Sequence, residues 1–395
     1  MHLAHNAQMN LTRHFSRFLN AAPGRLHFAA HSHHPWPNVS YAAHQQAWME
    51  AARLADLKWD RVFDTVLPTA QKHVAHVLGL PDPKTICFAP SVHELLVRLL
   101  SSFEQETLRI LTTDSEFYSF SRQMLRLEET GAVQMTRVPV QPFATFETRF
   151  AAEAARGGHD LVYFSQVFFN SGFRIQNLEA LVRAVADAKT VIVIDGYHGY
   201  MAVPTDLSKI AARVFYAAGG YKYAMCGEGV CFMHCPPGYA ERPSNTGWFT
   251  MFGSLTKSQD PAVAPYPDDG QRFMGGTYDP TGLHRLNAVM AWLKKEKVTV
   301  PAIHDWAQAL QKKFLELREK HGLLPCAELI PPHDTPRGNF LIFRHPNAGV
   351  WRQKLLKAGV VTDVRDDRLR IGFGLYHRSR DITALARKLR RLKLT

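Results

Sequence analysis

The sequence predicts an α/β protein: a large domain on a doubly wound, mostly parallel sheet, and a smaller α+β domain at the C-terminal end. Three observations predict it. Short apolar runs rich in β-branched residues, such as VIVI at 191–194, alternate with stretches of helical periodicity, and strand–helix–strand alternation is what lays parallel strands side by side. These runs are apolar at successive positions, as strands covered on both faces are. The 395 residues suffice for one large and one smaller domain. We read 1–45 as an N-terminal segment serving the small domain and the active site, 46–290 as the large, cofactor-binding domain and 291–395 as the small domain.

Taken in order, the segment 26–38 holds Pro35 and Pro37, which forbid a helix, and gathers His31, His33 and His34 around Ser32 in one titratable loop. Residues 41–78 are mostly helical, with Pro68 starting the second part. Residues 86–89 form a strand. Pro90-Ser91 then opens a helix over 92–103, with Ser91 as N-cap and Glu94 completing a capping box. Free backbone N–H groups and the positive dipole end make such a helix start a phosphate site. A strand at 109–113 is followed by a helix that starts at Asp114–Phe117 and turns Phe120, Met124 and Leu127 inward. Residues 161–165 are a strand, 166–172 a polar loop and 178–188 a helix.

The run 191–194 ends in Asp195, with His198 three residues on; the run 214–218 leads into Gly219-Gly220-Tyr221-Lys222-Tyr223, and 229–234 is a third apolar run. Beyond it lie Gly247-Trp248-Phe249, a Pro- and Asp-rich loop at 256–272 and the turn Gly275-Gly276-Thr277-Tyr278. Helices at 282–296 and 301–321, a strand at 339–344, a helix at 349–358 and a strand at 368–373 build the small domain. A basic amphipathic helix with Ile382, Leu385, Leu389 and Leu392 on its apolar face ends the sequence.

An acid at the end of one strand and a lysine just past the end of the next is an informative pair, because open α/β sheets bind ligands beyond the carboxyl ends of their strands. It points to pyridoxal phosphate (PLP), whose aldehyde is bonded by a lysine and whose protonated ring nitrogen pairs with an acid. Composition narrows the rest. No apolar run reaches the ~20 residues of a membrane span, and the N-terminus has neither the apolar core nor the cleavage pattern of a signal peptide, so we expect a cytoplasmic protein. The five cysteines lack a disulfide spacing, and Cys231, His234 and Cys235 share a buried strand whose alternation splits them between faces, so we expect no metal. The net charge of +12 suits anionic cofactors and carboxylate substrates; no zinc-finger or RNA-binding motif accompanies it, so nucleic acid is not an expected partner.

Asp195-x-x-His198 followed by Tyr221-Lys222-Tyr223 resembles the class V aminotransferase group of PLP enzymes, and kynureninases most closely. The resemblance implies the PLP-dependent transferase fold (fold type I) and runs with gaps from about residue 26 to 381. It gives Lys222 the covalent link to the cofactor, Asp195 the ring nitrogen and His198 a place near ring and phosphate. Pro90 and Ser91 match the first phosphate loop, and Phe117 the aromatic that stacks on the ring. Tyr221, Trp248 and Thr277 match phosphate ligands, the Thr277 turn coming from the partner subunit of a homodimer. Within GVVTDVRDDRLRIGFGLY, Arg370 matches the arginine that forks the substrate α-carboxylate, a task suited to a guanidinium. Ser32 and Pro37 fit the Gly-Asn-Ser-Leu-Gly-x-x-Pro loop of kynureninases, with His31, His33 and His34 replacing its Asn, Leu and Gly; Ser32 and His31 are therefore the expected substrate contacts there. The kynurenine-selective Ser-Asn-Pro-Pro turn is replaced by Gly-Gly-Thr-Tyr.

The expected function is that of a PLP enzyme on an α-amino acid, kynureninase-like in cleaving Cβ–Cγ with water. The alternative is a class V aminotransferase. A cysteine desulfurase or selenocysteine lyase requires a nucleophilic cysteine shortly before the carboxylate-binding arginine, and none lies between Cys326 and Arg370. A binding protein that lost the chemistry has no need to keep both Lys222 and Asp195.

Overall fold

A computed structural model of the chain describes residues 11–254 and 262–394. The expected loop at 256–272 therefore lies partly outside the described residues. The chain enters through helix α1 (Ser16–Asn20) and strand β1 (Leu26–His27), then helices α2 (Asn38–Leu54), α3 (Lys58–Arg61) and α4 (Leu67–Leu78). Pro68 sits in the first turn of α4, directly after a π-helical turn over Val62–Val66, and Gly79 takes the left-handed conformation just past its end. Strands and helices then alternate: β2 (Ile86–Ala89), α5 (Val92–Leu100), β3 (Leu108–Thr113), α6 (Tyr118–Glu129), β4 (Val133–Val138), α7 (Phe146–Ala155), β5 (Leu161–Ser165) and α8 (Leu178–Arg183). β6 (Val191–Asp195), β7 (Phe215–Gly219) and β8 (Cys231–His234) complete a seven-stranded sheet of order β2-β8-β7-β6-β5-β3-β4. Every pairing is parallel except those of β8, which runs antiparallel to β2 and β7. All residues of β5, β6 and β7 are buried, as helices on both faces require.

Helix α9 (Thr281–Lys295) packs along α2, and α10 (Val300–His321) enters the small domain. There β9 (Glu328–Ile330), β10 (Phe340–Arg344), α11 (Ala348–Lys357), β11 (Val360–Val361), β12 (Asp363–Arg365), β13 (Arg368–Gly372) and α12 (Ser379–Leu392) follow. Its antiparallel sheet has the order β12-β13-β10-β9. A second hydrophobic core, with Phe28, Phe314, Trp351 and Leu385, lies beneath it, separate from the core of the large sheet. Strand β1 pairs in parallel with β11, so the loop that follows it starts from the small domain and runs towards the large one. Among the described residues no helix is long and apolar enough to cross a membrane.

Among the expected boundaries, three differ for a local reason, as does one cap. Helix α5 ends at Leu100, not 103, because the hydroxyls of Ser101 and Ser102 bond the carbonyls of Arg98 and Leu99 and compete with the helix. Helix α6 begins at Tyr118, with Phe117 as its cap rather than within it. Helix α8 stops at Arg183, five residues short of 188, ahead of a turn in which Asp187 accepts from the Lys189 N–H. Ser91 does cap α5 by accepting from the Glu94 N–H at 3.2 Å, but the Glu94 carboxylate turns to Arg98 instead of closing a capping box.

Candidate active site

The carboxyl ends of β5, β6 and β7 form the floor of the site. Register sets Ser165 beside Asp195 and Asp195 beside Ala217, so the acid is fixed in the middle of three parallel strands. Its two oxygens are spoken for: Oδ1 accepts the Tyr197 N–H at 2.9 Å and Oδ2 accepts the Tyr163 O–H at 3.0 Å. Burial pushes the Asp195 carboxyl upward, and those hydrogen bonds together with the Lys222 ammonium pull it back.

Two glycines bring the lysine in. A Cβ on Gly219 would lie 2.3 Å from the Tyr197 hydroxyl and 2.5 Å from Cys231 Sγ, so only glycine lets that ring and thiol close on the strand end. Lys222 is 4 % exposed, with Nζ over the rings of Tyr197 at 4.4 Å, Phe117 at 5.4 Å and Tyr221 at 5.6 Å. Burial among these rings pulls its amine down to about 7, against the opposing pull of Asp195. A large share of the lysine is then a neutral nucleophile near pH 7.

These groups line a cavity of about 290 Å³. Seven of the expected residues meet in its wall: Pro90, Ser91, Phe117, Asp195, His198, Tyr221 and Lys222. Ser91 stands at the start of the nine-residue α5, whose first-turn residues Val92 and His93 also line the cavity. The donor set fits PLP: a buried amine for its aldehyde, an acid one strand away for its ring nitrogen, a flat aromatic wall and a helix start for its phosphate.

The rest of the expected set lies outside this wall. Trp248 donates its indole N–H to Thr277 Oγ1 at 2.8 Å and is 41 % exposed. The turn before Thr277 lies against the far half of α5: Arg98 bonds the Phe273 carbonyl, and a Cβ on Gly275 would meet Arg98 Nη2 at 2.4 Å. The Ser32 hydroxyl bonds its neighbour His33. Arg370 is buried behind the cavity wall, its Nη1 donating to the Phe169 carbonyl at 2.8 Å and its Nη2 bonded to Asp363. His31 is fully buried, stacked on Phe340 with ring centroids 4.6 Å apart, and neither of its ring nitrogens has a partner.

The histidine loop holds the lysine from both sides in sequence. His34 N–H donates to the Tyr221 carbonyl, His33 stacks on the Tyr221 ring at 4.9 Å, and His34 meets Tyr223 edge-on at 5.9 Å. A Cβ on Gly372 would lie 2.2 Å from His31 Nδ1, and one on Gly374 would lie 2.4 Å from His34 Nε2. Two histidines thus nest over two glycines of the segment after Arg370. Sequence reasoning missed Tyr163, Tyr197 and Glu116. Tyr163 had a signal, since it shares a face of β5 with Ser165 two residues on. Glu116 had none: it is a buried acid bonded by Thr113 Oγ1 at 2.7 Å and Ser165 Oγ at 2.5 Å, and burial pushes its carboxyl up to about 8.

The aminotransferase class-V profile matches residues 46–329, and that of the kynureninase C-terminal domain residues 303–389. An isopenicillin N epimerase of Streptomyces clavuligerus is 26% identical over 355 residues, covering 82% of this chain and 84% of that protein. A kynureninase of Deinococcus radiodurans is 28% identical over 218 residues, 54% of this chain and 52% of that one. In three dimensions the chain is similar to an apo cysteine desulfurase from Thermococcus onnurineus NA1, with a TM-score of 0.78 and 15% identity over 93% of this chain and 94% of that one. It is similar as well to the cystine C-S lyase C-DES in complex with cysteine persulfide, with a TM-score of 0.78 and 17% identity over 94% of this chain and 99% of that one.

Proposed function

The chain belongs to the class-V aminotransferase family of PLP-dependent enzymes with the fold type I architecture, and on that premise we propose that it cleaves an α-amino acid with a γ-carbonyl hydrolytically between Cβ and Cγ, water adding to that carbonyl, as in kynureninases. The observation that carries the proposal is the position of Arg370: it falls within the match to the kynureninase C-terminal domain and bonds the carbonyl of Phe169, a residue of the cavity wall. PLP, when bound, supplies an aldehyde for the amino group and a protonated ring that accepts the electrons released at Cα. Everything else falls to the chain. Lys222 would hold the cofactor through its aldehyde, and its Nζ is the group that would carry the Cα proton. Asp195, held by Tyr163 and the Tyr197 N–H, would pair with the ring nitrogen. Phe117 would cover a ring face, and Ser91 with the first turn of α5 would hold the phosphate. His198, buried with Nδ1 unpartnered, lies close enough to Lys222 and Arg370 that both hold its imidazole neutral, after burial itself. Arg370 receives the substrate carboxylate.

A second reading is epimerisation, a proton leaving Cα and returning on the other face with no carbon–carbon cleavage; the match to an epimerase over 82% of this chain favours it. Product analysis separates the readings. Alanine plus a carboxylic acid supports cleavage, inversion at Cα with no other change supports epimerisation, and a keto acid with an aminated acceptor supports transamination.

We also propose a homodimer with a shared site. The Trp248–Thr277 pair is exposed and beside the wrong end of α5 for the phosphate of its own chain, which leaves it free to serve a second copy. Sedimentation of a fully active monomer would refute this arrangement.

A further inference from the structure

The carboxylate reading of Arg370, on which this inference rests, meets an obstacle in its surroundings. Arg370 Nη1 is taken by the Phe169 carbonyl, Nη2 by Asp363, and Nε alone has no partner. A guanidinium can fork a carboxylate end-on, through Nη1 and Nη2, or side-on, through Nε and Nη2. Both forks draw on the nitrogen that Asp363 holds. The substrate carboxylate and the Asp363 carboxylate therefore call on the same donor.

Asp363 has somewhere else to go. It faces Arg370 across the β12–β13 pair, and its Oδ1 already accepts from Arg365 Nη1 at 2.6 Å and from the Val364 N–H at 2.8 Å. Its Oδ2 lies 3.8 Å from Nε2 of His31, a ring nitrogen buried without a partner. Residues 370 and 372 project to one face of β13, and His31 nests against Gly372 on that face. Released from Arg370, Asp363 stays paired with Arg365 and comes within reach of His31, so it does not become an uncompensated buried charge, which would cost several kcal/mol.

We propose that Asp363 is an internal occupant of the substrate's carboxylate site. In the free protein it closes Arg370; an α-amino acid opens the site by displacing Asp363 towards Arg365 and His31. The substrate class is then an amino acid with a free, unhindered α-carboxylate, because an ester or amide cannot replace one charged carboxylate with another on Arg370.

Propionate, a carboxylate with no amino group to react, tests this by calorimetric titration of the PLP-loaded protein. Asp363→Asn should bind propionate at least fivefold more tightly than wild type, because the competing charge is gone. Asp366→Asn removes an equal charge three residues away, where Asp366 faces the Tyr118 hydroxyl at 3.5 Å, and should change binding less than twofold. Should Asp363→Asn fail to fold, Asp363→Ser carries the same expectation. Unchanged or weaker binding in the folded Asp363 variant, or an equal gain in Asp366→Asn, overturns the inference and makes Asp363 a fixed strut. Arg370→Ala should lose propionate binding; if it binds as wild type does, the carboxylate assignment of Arg370 falls first, whatever Asp363 does.

Discussion

At the cofactor end of the cavity both oxygens of Asp195 are hydrogen-bonded within the chain, to Tyr163 and to the Tyr197 N–H. At the substrate end the reverse holds: both ring nitrogens of His31 and Nε of Arg370 are buried with no hydrogen-bond partner. An unpaired buried polar group costs about 1–3 kcal/mol, so the substrate end stores a deficit that a bound polar molecule removes. The cofactor end is preorganised and rigid on three parallel strands. The substrate end is assembled from a loop and a second sheet, and the bond of Arg370 to Asp363 there is between groups of the chain itself.

The difference predicts a graded response to substitution. Lys222→Ala should be the most damaging, lowering kcat by ~10³-fold or more, since it removes both the link to the cofactor and the group that moves the proton. Borohydride reduction of the wild-type protein should fix a pyridoxyl group on Lys222 and on no other lysine, as peptide mapping will report. Arg370→Ala comes next: losing one charge-assisted fork costs about 2–4 kcal/mol, roughly one to three orders of magnitude in kcat/KM. Arg370→Lys should recover only part, because an ammonium cannot make the fork. In both Arg370 variants the absorbance of the bound cofactor should stay as in wild type; a shifted spectrum would mean that the two ends are not separable.

Gly372→Ala should act more weakly. Its Cβ would fall 2.2 Å from His31 Nδ1 and 2.9 Å from the His31 backbone nitrogen, so the loop must shift away from Arg370. The expected result is KM raised about tenfold with kcat little changed, as for a lost positioning contact. His31→Ala in the same chain should restore part of it, since the ring is the nearer obstacle. Additive effects of the two substitutions would count against the nest.

This contrast also marks what could be read from residues alone. Asp195 and Lys222 were legible because each ends a short apolar run, and strand ends in an open sheet are where ligands bind. Ser91 was legible because capping is a local event over three residues. The His31–Gly372 and His34–Gly374 nests were not, because the partners are more than three hundred residues apart and nothing local pairs a histidine loop with a Gly-Phe-Gly segment. Arg370 was found by resemblance, but its bond to Asp363 depends on antiparallel register, which the sequence of one strand does not give. Trp248 and Thr277 were matched to phosphate contacts by resemblance, the Thr277 turn as the partner subunit's, and in the chain itself they lie beside Arg98, at the other end of the helix that Ser91 caps.

The smallest effect at neutral pH, and the one that separates the two ends by sign, is the pH dependence of stability. At the substrate end His27, His34 and His377 are buried around Tyr376, and desolvation lowers them to about 3, about 4 and about 3 from an ordinary value of 6.5. The unfolded chain therefore binds more protons than the native one between those values and 6.5, so this end loses stability as pH falls below 6.5. At the cofactor end Glu116 is raised from 4.5 to about 8, so it binds more protons in the native chain and its contribution to stability falls as pH rises through that window; in the PLP-loaded protein, with Lys222 linked to the cofactor, the opposite contribution of a free Lys222 amine above pH 7 is absent. Each group contributes at most about 1.4 kcal/mol per pH unit within its window. The melting temperature should therefore fall on both sides of an optimum, for different reasons. Glu116→Gln, which keeps the shape and removes the titration, should flatten the alkaline side alone, and His377→Asn the acid side alone. Below pH 6, activity should fail through a rising KM before the cofactor is released, because acid charges the buried histidines of the loop that carries His31 while Glu116, protonated already at that pH, changes little. Cofactor release preceding the rise in KM would reverse the assignment of rigidity between the two ends.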